Sequence, residues 1–204
     1  MTDRHADGTT RLPSESGMTD RHAGRMTRRA GALAVGAGLL SLAADAATKA
    51  WALHALRDGH RITVPGGLLR LQLVTNHGAA FGLGASFEPL VAVISVALIV
   101  LLVIWARRAT GILEKTGAAL AAAGGLGNLA DRVFRPPSFL HGAVVDWIHI
   151  SFYGPTFNLA DVFLRAGVLL AAAAWLWHHH RPQPHLQSHP RPHHNNDNGP
   201  SSFS

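Results

Sequence analysis

Four long apolar runs dominate the sequence, and ionisable residues interrupt all but one of them. A helix needs about 20 residues to cross the roughly 30 Å hydrocarbon core of a bilayer. Leu90–Ala106, opened by Pro89 and closed by Arg107 and Arg108, comes near that length without a charge. Proline suits a first helical turn, where its missing N–H has no partner to lose. The other runs reach a spanning length only by taking in charges. Ala30 to about Leu56 includes Asp45 and Lys49, Thr116–Ala130 runs into Asp131 and Arg132, and Phe157–Trp177 contains Asp161 and Arg165. Burying a charge at that depth costs at least about 2.5–3.5 kcal/mol, so residues kept there are paired or functional.

Composition supports the membrane reading. Residues 30–177 hold only ten Lys/Arg and seven Asp/Glu, and 15% of the whole chain is charged, against roughly 25% in an ordinary soluble protein. Cysteine is absent, which excludes a disulfide framework, a thiol nucleophile and a thiolate metal site. The Ala-rich first run follows basic residues as a signal peptide would. Three further spans follow it, however, and Asp45 and Lys49 lie within its helix, so it is expected to be retained.

The segments 10–29, 107–115 and 178–197 carry ten Lys/Arg, whereas the intervening loops carry Arg57, Arg61, Arg70, Arg132 and Arg135. Positive residues favour the cytoplasm. The expected architecture is therefore an all-α integral membrane protein of four transmembrane helices. It has a small β-containing extracytoplasmic loop and both termini in the cytoplasm. Leu69, Leu71 and Leu73 alternate as in a short strand with one buried face. Residues 1–29, in which MTDRHA occurs at Met1–Ala6 and again at Met18–Ala23, are expected as a disordered basic tail. Residues 30–177 form the membrane domain. Residues 178–204, with seven of the fourteen His, are expected as a disordered His/Pro-rich tail.

The intramembrane polar residues cluster towards one side. Asp45 and Lys49, four apart, can pair on one helix face. Asn128, Asp131 and Arg132 share the outer end of the third span, and Asn158 and Asp161 that of the fourth. Asp146 follows Val144 and Val145 in an apolar stretch. Two carboxylates brought close share a proton, because both cannot ionise cheaply. Such a pair can deprotonate water and protonate a leaving amine. The same cluster also suits a cation site or a proton relay, and a plain membrane anchor with basic tails is a third reading.

Five blocks occur in order: Asp45-Ala-Ala-Thr48-Lys49, Asn76-His-Gly78-Ala79-Ala80-Phe81-Gly82, Gly127-Asn128-Leu-Ala-Asp131-Arg132, Val144-Val145-Asp146 and Phe157-Asn158-Leu159-Ala160-Asp161. Together they resemble the lipoprotein signal peptidases (signal peptidase II), bacterial intramembrane aspartic peptidases. The resemblance implies that Asp146 and Asp161 are catalytic and activate a water molecule between them. It also implies cleavage of a prolipoprotein on the amino side of a diacylglyceryl-modified cysteine. The implied setting is the bacterial inner membrane, with the active site towards the outer face. The expected partners are the lipidated prolipoproteins and membrane lipids, with no nucleic acid, no cofactor, no metal and a monomeric chain. Asn76, Asn128 and Asn158 can supply amide donors to an oxyanion. Asp131 with Arg132 is expected as a structural pair orienting Asn128, and Asp45 with Lys49 as support for the outer loop. Gly78 and Ala80, with Ala79, are small enough to let a lipidated helix approach. The segment between Asp146 and Asp161 is short, so the cover over the site is expected to be reduced. Arg165, four residues beyond Asp161, can pair with it.

Overall fold

In a computed structural model of the chain, the described residues are 15–78, 88–136 and 139–180. Ala79 and Ala80, and residues 1–14 and 181–204 of the two tails, lie outside them. Four helices follow one another: α1 (Glu15–Ala55), α2 (Glu88–Arg108), α3 (Ile112–Phe134) and α4 (Leu159–His179). Helix α1 starts at Glu15, within the segment expected as a tail. No proline follows Pro13 until after the helix ends. A helix nucleated in the apolar run therefore propagates back through the polar segment without a breaker. At the other end, α4 continues through His179, two residues into the segment expected as a tail.

Among the described residues, three stretches are long and apolar enough to cross a membrane: Thr27–Ala55, Pro89–Arg108 and Leu159–His179. Helix α3, with 23 residues, has the length but is rich in Gly and Ala and carries Asn128, Asp131 and Arg132. It packs against each of the other three helices. Its Asn128, Asp131 and Arg132 thus meet protein groups, the arrangement that ionisable side chains at membrane depth require. The other helices expose large apolar side chains such as Leu40, Val93 and Leu169.

Glycines set the closest helix approach. A Cβ on Gly117 of α3 would lie 2.6 Å from the Ala171 nitrogen and 2.7 Å from the Gly167 oxygen of α4. One on Gly167 would lie 2.5 Å from the Ala121 nitrogen. These are backbone atoms, so even alanine must push the helices apart. Gly117→Ala is expected to lower stability by about 1–3 kcal/mol in detergent unfolding. Gly36→Ala, whose Cβ would meet nothing within 4 Å, is expected to be neutral or to stabilise by up to about 1 kcal/mol. Equal effects of the two changes would exclude the close α3–α4 contact.

The segments between helices build a four-stranded antiparallel sheet in the order β1 (Arg61–Thr63), β2 (Leu69–Asn76), β3 (Val144–Ile150) and β4 (Thr156–Phe157). The strand expected around Leu69–Leu73 is present, but without a single buried face. All residues from Leu69 to Leu73 are half-buried. A break in register between Leu71 and Val74 disturbs the alternation, as a bulge does. Beyond it, Val74 pairs with Asp146 and Asn76 with Val144. That register carries the polar end of β2 to Asp146.

Candidate active site

Asp146 sits in β3, where its side chain points among neighbours from two other elements and is only 2% exposed. One carboxylate oxygen accepts from Asn76 Nδ2 at 3.1 Å and the other from Asn158 Nδ2 at 2.7 Å. Asn76 lies diagonally across the β2–β3 ladder, within reach of a short amide. Its own Oδ1 accepts from the Gly78 N–H at 3.0 Å, which fixes the amide orientation.

The β3–β4 hairpin turns the chain back, and α4 begins at once. Asn158 is its N-cap, with Oδ1 accepting from the Asp161 N–H at 3.0 Å. Asparagine suits this position because its oxygen satisfies a first-turn donor that the helix itself cannot pair. The same side chain therefore grips Asp146 through its nitrogen and the backbone of Asp161 through its oxygen. The short segment between the aspartates is the device that joins them. Asp161 Oδ1 in turn accepts from Asn128 Nδ2 of α3 at 2.8 Å, and Arg165 stands 3.9 Å from Oδ2.

Asn158 also donates to Asn128 Oδ1 at 3.0 Å. Both of its amide hydrogens are thus engaged, so it is a clamp rather than one of three oxyanion donors. Asn76 and Asn128 each keep a second N–H without an acceptor among the described residues.

Lys49 is the hub beneath these groups. It is 1% exposed, and its ammonium reaches Asp45 Oδ2 at 2.8 Å, Asp131 Oδ2 at 2.9 Å and Asn128 Oδ1 at 3.1 Å. Three donors meet three acceptors. Asp45 Oδ1 accepts from the Ala160 N–H at 2.9 Å, so the Asp45–Lys49 pair ties α1 to α3 and α4. This corrects its expected role under the outer loop. Gly127 permits the contact, since a Cβ there would lie 2.5 Å from Asp45 Oδ2.

The expected Asp131–Arg132 unit is also revised. Consecutive helical residues do not face each other, whereas residues four apart do. Asp131 takes Lys49 and Arg135 as its cationic partners and accepts from the Val145 N–H at 3.2 Å. Arg132 instead donates to the carbonyls of His77 and Gly78, anchoring the end of β2. Lys49 and Asn158, not Asp131 with Arg132, orient Asn128. Sequence reasoning missed Arg135, although its spacing from Asp131 was the available signal.

Asp146, Asp161, Asn76, Gly78, Asn128 and Arg132 line one cavity of about 320 Å³. Tyr153 and Phe157 form its sheet side, and Val91, Ile94 and Leu98 of α2 form an apolar wall. Burial, reinforced by the charge of Asp161, pushes the Asp146 carboxyl up from 3.8 to about 6, against the opposing effect of the Asn76 and Asn158 amides. Each amide favours the ionised form by bonding to it. Asn76→Ala is therefore expected to raise the Asp146 pKa. If a protonated Asp146 is needed for activity, the alkaline limb of the pH–rate profile moves up by roughly one pH unit, the equivalent of one hydrogen bond. An unmoved limb would separate Asp146 from that ionisation.

The chain as a whole also resembles known proteins. Residues 37–177 match the family model described as signal peptidase (SPase) II. The chain is 43% identical over 132 residues to the lipoprotein signal peptidase of Bifidobacterium adolescentis, covering 64% of this chain and 69% of that one. The lipoprotein signal peptidase of Bifidobacterium longum subsp. infantis is 39% identical over 132 residues, covering 64% and 71%. A solved structure of a bacterial membrane enzyme, determined by the in meso method at 2.3 Å, superposes with a TM-score of 0.66 at 25% identity, covering 75% of this chain and 93% of that one.

Proposed function

Since this chain belongs to the signal peptidase II family of proteases, we propose that it removes signal peptides from prolipoproteins, cutting on the amino side of a diacylglyceryl-modified cysteine. The observation that carries the mechanism is the placing of Asp146 and Asp161 on one cavity, joined through Asn158. Asp146, with its raised pKa, holds the shared proton, and Asp161, beside Arg165, is the ionised partner.

Asp161 takes a proton from water as the water oxygen attacks the scissile carbonyl carbon. Asp146 gives its proton to the carbonyl oxygen, producing a neutral tetrahedral diol. Return of one hydroxyl proton to Asp146 and transfer of the Asp161 proton to the amide nitrogen then break the C–N bond. A carboxyl terminus and a free amine leave, and the dyad again holds one proton. The spare N–H groups of Asn76 and Asn128 are placed to stabilise charge on the carbonyl oxygen.

The topology follows from the same reading. Helix α3 crosses with the three more apolar helices, both termini face the cytoplasm, and the sheet covers the cavity at the outer face of the bacterial cell membrane. The apolar α2 wall lies where acyl chains of the modified cysteine would enter. No metal or cofactor takes part in this chemistry, and the chain acts as a monomer. The test is cleavage of a prolipoprotein by the reconstituted chain, with and without the diacylglyceryl group. A product beginning at the lipidated cysteine is expected only from the modified substrate. Equal cleavage of both forms would contradict the proposed specificity.

A further inference from the structure

A second groove lies apart from the aspartates and shares no lining residue with their cavity. Helices α1 and α2 each pack on α3 and leave between them an apolar channel of about 540 Å³. Small residues of α3, Ala119, Ala122 and Ala123, form its floor. Gly38 of α1 lies beside it, where a Cβ would make an ordinary contact, 3.4 Å from the Ala119 oxygen. Along α3 the channel runs from Lys115 to Leu126. At 1.5 Å per residue that is about 16 Å, the depth of one leaflet of a roughly 30 Å hydrocarbon core.

The end of this channel carries charge. Lys115 lines it, is 8% exposed, and has no hydrogen-bond or ion-pair partner for its ammonium among the described residues. Arg107 lines the same end. The neighbouring Glu114 makes no ion pair with Lys115 among the described residues, and its carboxylate accepts from Trp105 Nε1 at 2.7 Å. Two cations at one end of an apolar channel, with no ion-pair partner for Lys115 among the described residues, attract an anion.

We infer that this groove binds a glycerophospholipid with a net anionic headgroup. One acyl chain lies on the floor of α3 between α1 and α2, and Lys115 and Arg107 hold the phosphate. A zwitterionic headgroup would bring a cation to two cations, and a signal peptide would bring its basic leading segment. An anionic lipid meets both the charge and the length, and basic residues at a membrane surface attract such lipids.

The test places the full chain in phosphatidylcholine nanodiscs doped with a photoactivatable phosphatidylglycerol or, separately, a photoactivatable phosphatidylcholine, each with the reactive group on the acyl chain. The phosphatidylglycerol probe is expected to label peptides covering residues 31–42 and 119–126 several-fold more than the phosphatidylcholine probe. Lys115→Gln with Arg107→Gln should abolish the difference, while Lys115→Arg should keep it. Retained prolipoprotein cleavage in each variant reports that the fold is intact and leaves the aspartate mechanism separate from this result. Equal labelling by the two lipids in the unaltered chain would overturn the inference. So would a preference that survives the double glutamine variant, or crosslinks joining two copies of the chain through the groove.

Discussion

Asp146→Asn and Asp161→Asn are each expected to slow prolipoprotein cleavage by about 10³-fold, the scale on which a positioned acid or base acts. The two changes keep side-chain volume, so lost packing cannot account for the effect. At residue 146, asparagine presents an N–H where an oxygen now accepts from Asn76 or Asn158. That mismatch costs on the order of 1–2 kcal/mol. The loss is partly offset, because a carboxyl whose pKa is pushed up to about 6 favours the fold in its protonated form. Its contribution is full below the ordinary pKa of the unfolded chain and is lost as pH rises through about 6. The amide, neutral at every pH, stands in for the protonated carboxyl and adds no buried charge. The melting temperature should change little while activity collapses, and full processing by either variant would remove the dyad from the mechanism.

Lys49→Met is expected to have the largest effect on stability. Its ammonium is shared by Asp45, Asp131 and Asn128 and is almost wholly buried. Removing one partner from a buried charge network leaves uncompensated charge and costs about 3–5 kcal/mol. Asp131 retains Arg135, whereas Asp45 retains only the Ala160 N–H as a described partner. Adding Asp45→Asn to Lys49→Met should therefore recover part of the loss, and Asp131→Asn should recover less. The measurement is unfolding in detergent, with cleavage followed in parallel, because Asn128 loses one of the two donors, Lys49 and Asn158, that fix its amide towards Asp161. A Lys49→Met protein as stable as the original would mean that the hub bears little of the bundle's stability.

The parts of this site that were legible in the sequence are those fixed by local spacing. Asp45 and Lys49 pair across one helical turn as expected, and the Phe157–Asp161 block places a capping asparagine three residues before an aspartate. Apolar length marks three helices directly. What was not legible depends on which elements meet. Nothing local to Lys49 indicates that its other acceptors come from α3. Nothing local to Asn158 indicates that a strand will bring Asp146 to its amide. The pairing of Asp131 followed from helical geometry but was assigned to its neighbour Arg132 rather than to Arg135, four residues on. The bulge after Leu71 and the polar first turns of α1 escaped because alternation and apolar periodicity report only regular, half-buried segments.

The central claim is that Asp146 and Asp161 work as one proton-sharing unit. The most direct measurement is a double-mutant cycle on prolipoprotein cleavage, comparing Asp146→Asn, Asp161→Asn and the two combined. Groups that act as a unit lose nearly everything when either is removed. The combined variant is therefore expected to cleave no more slowly than the slower single variant. Losses that multiply would show two independent contributions and contradict the dyad.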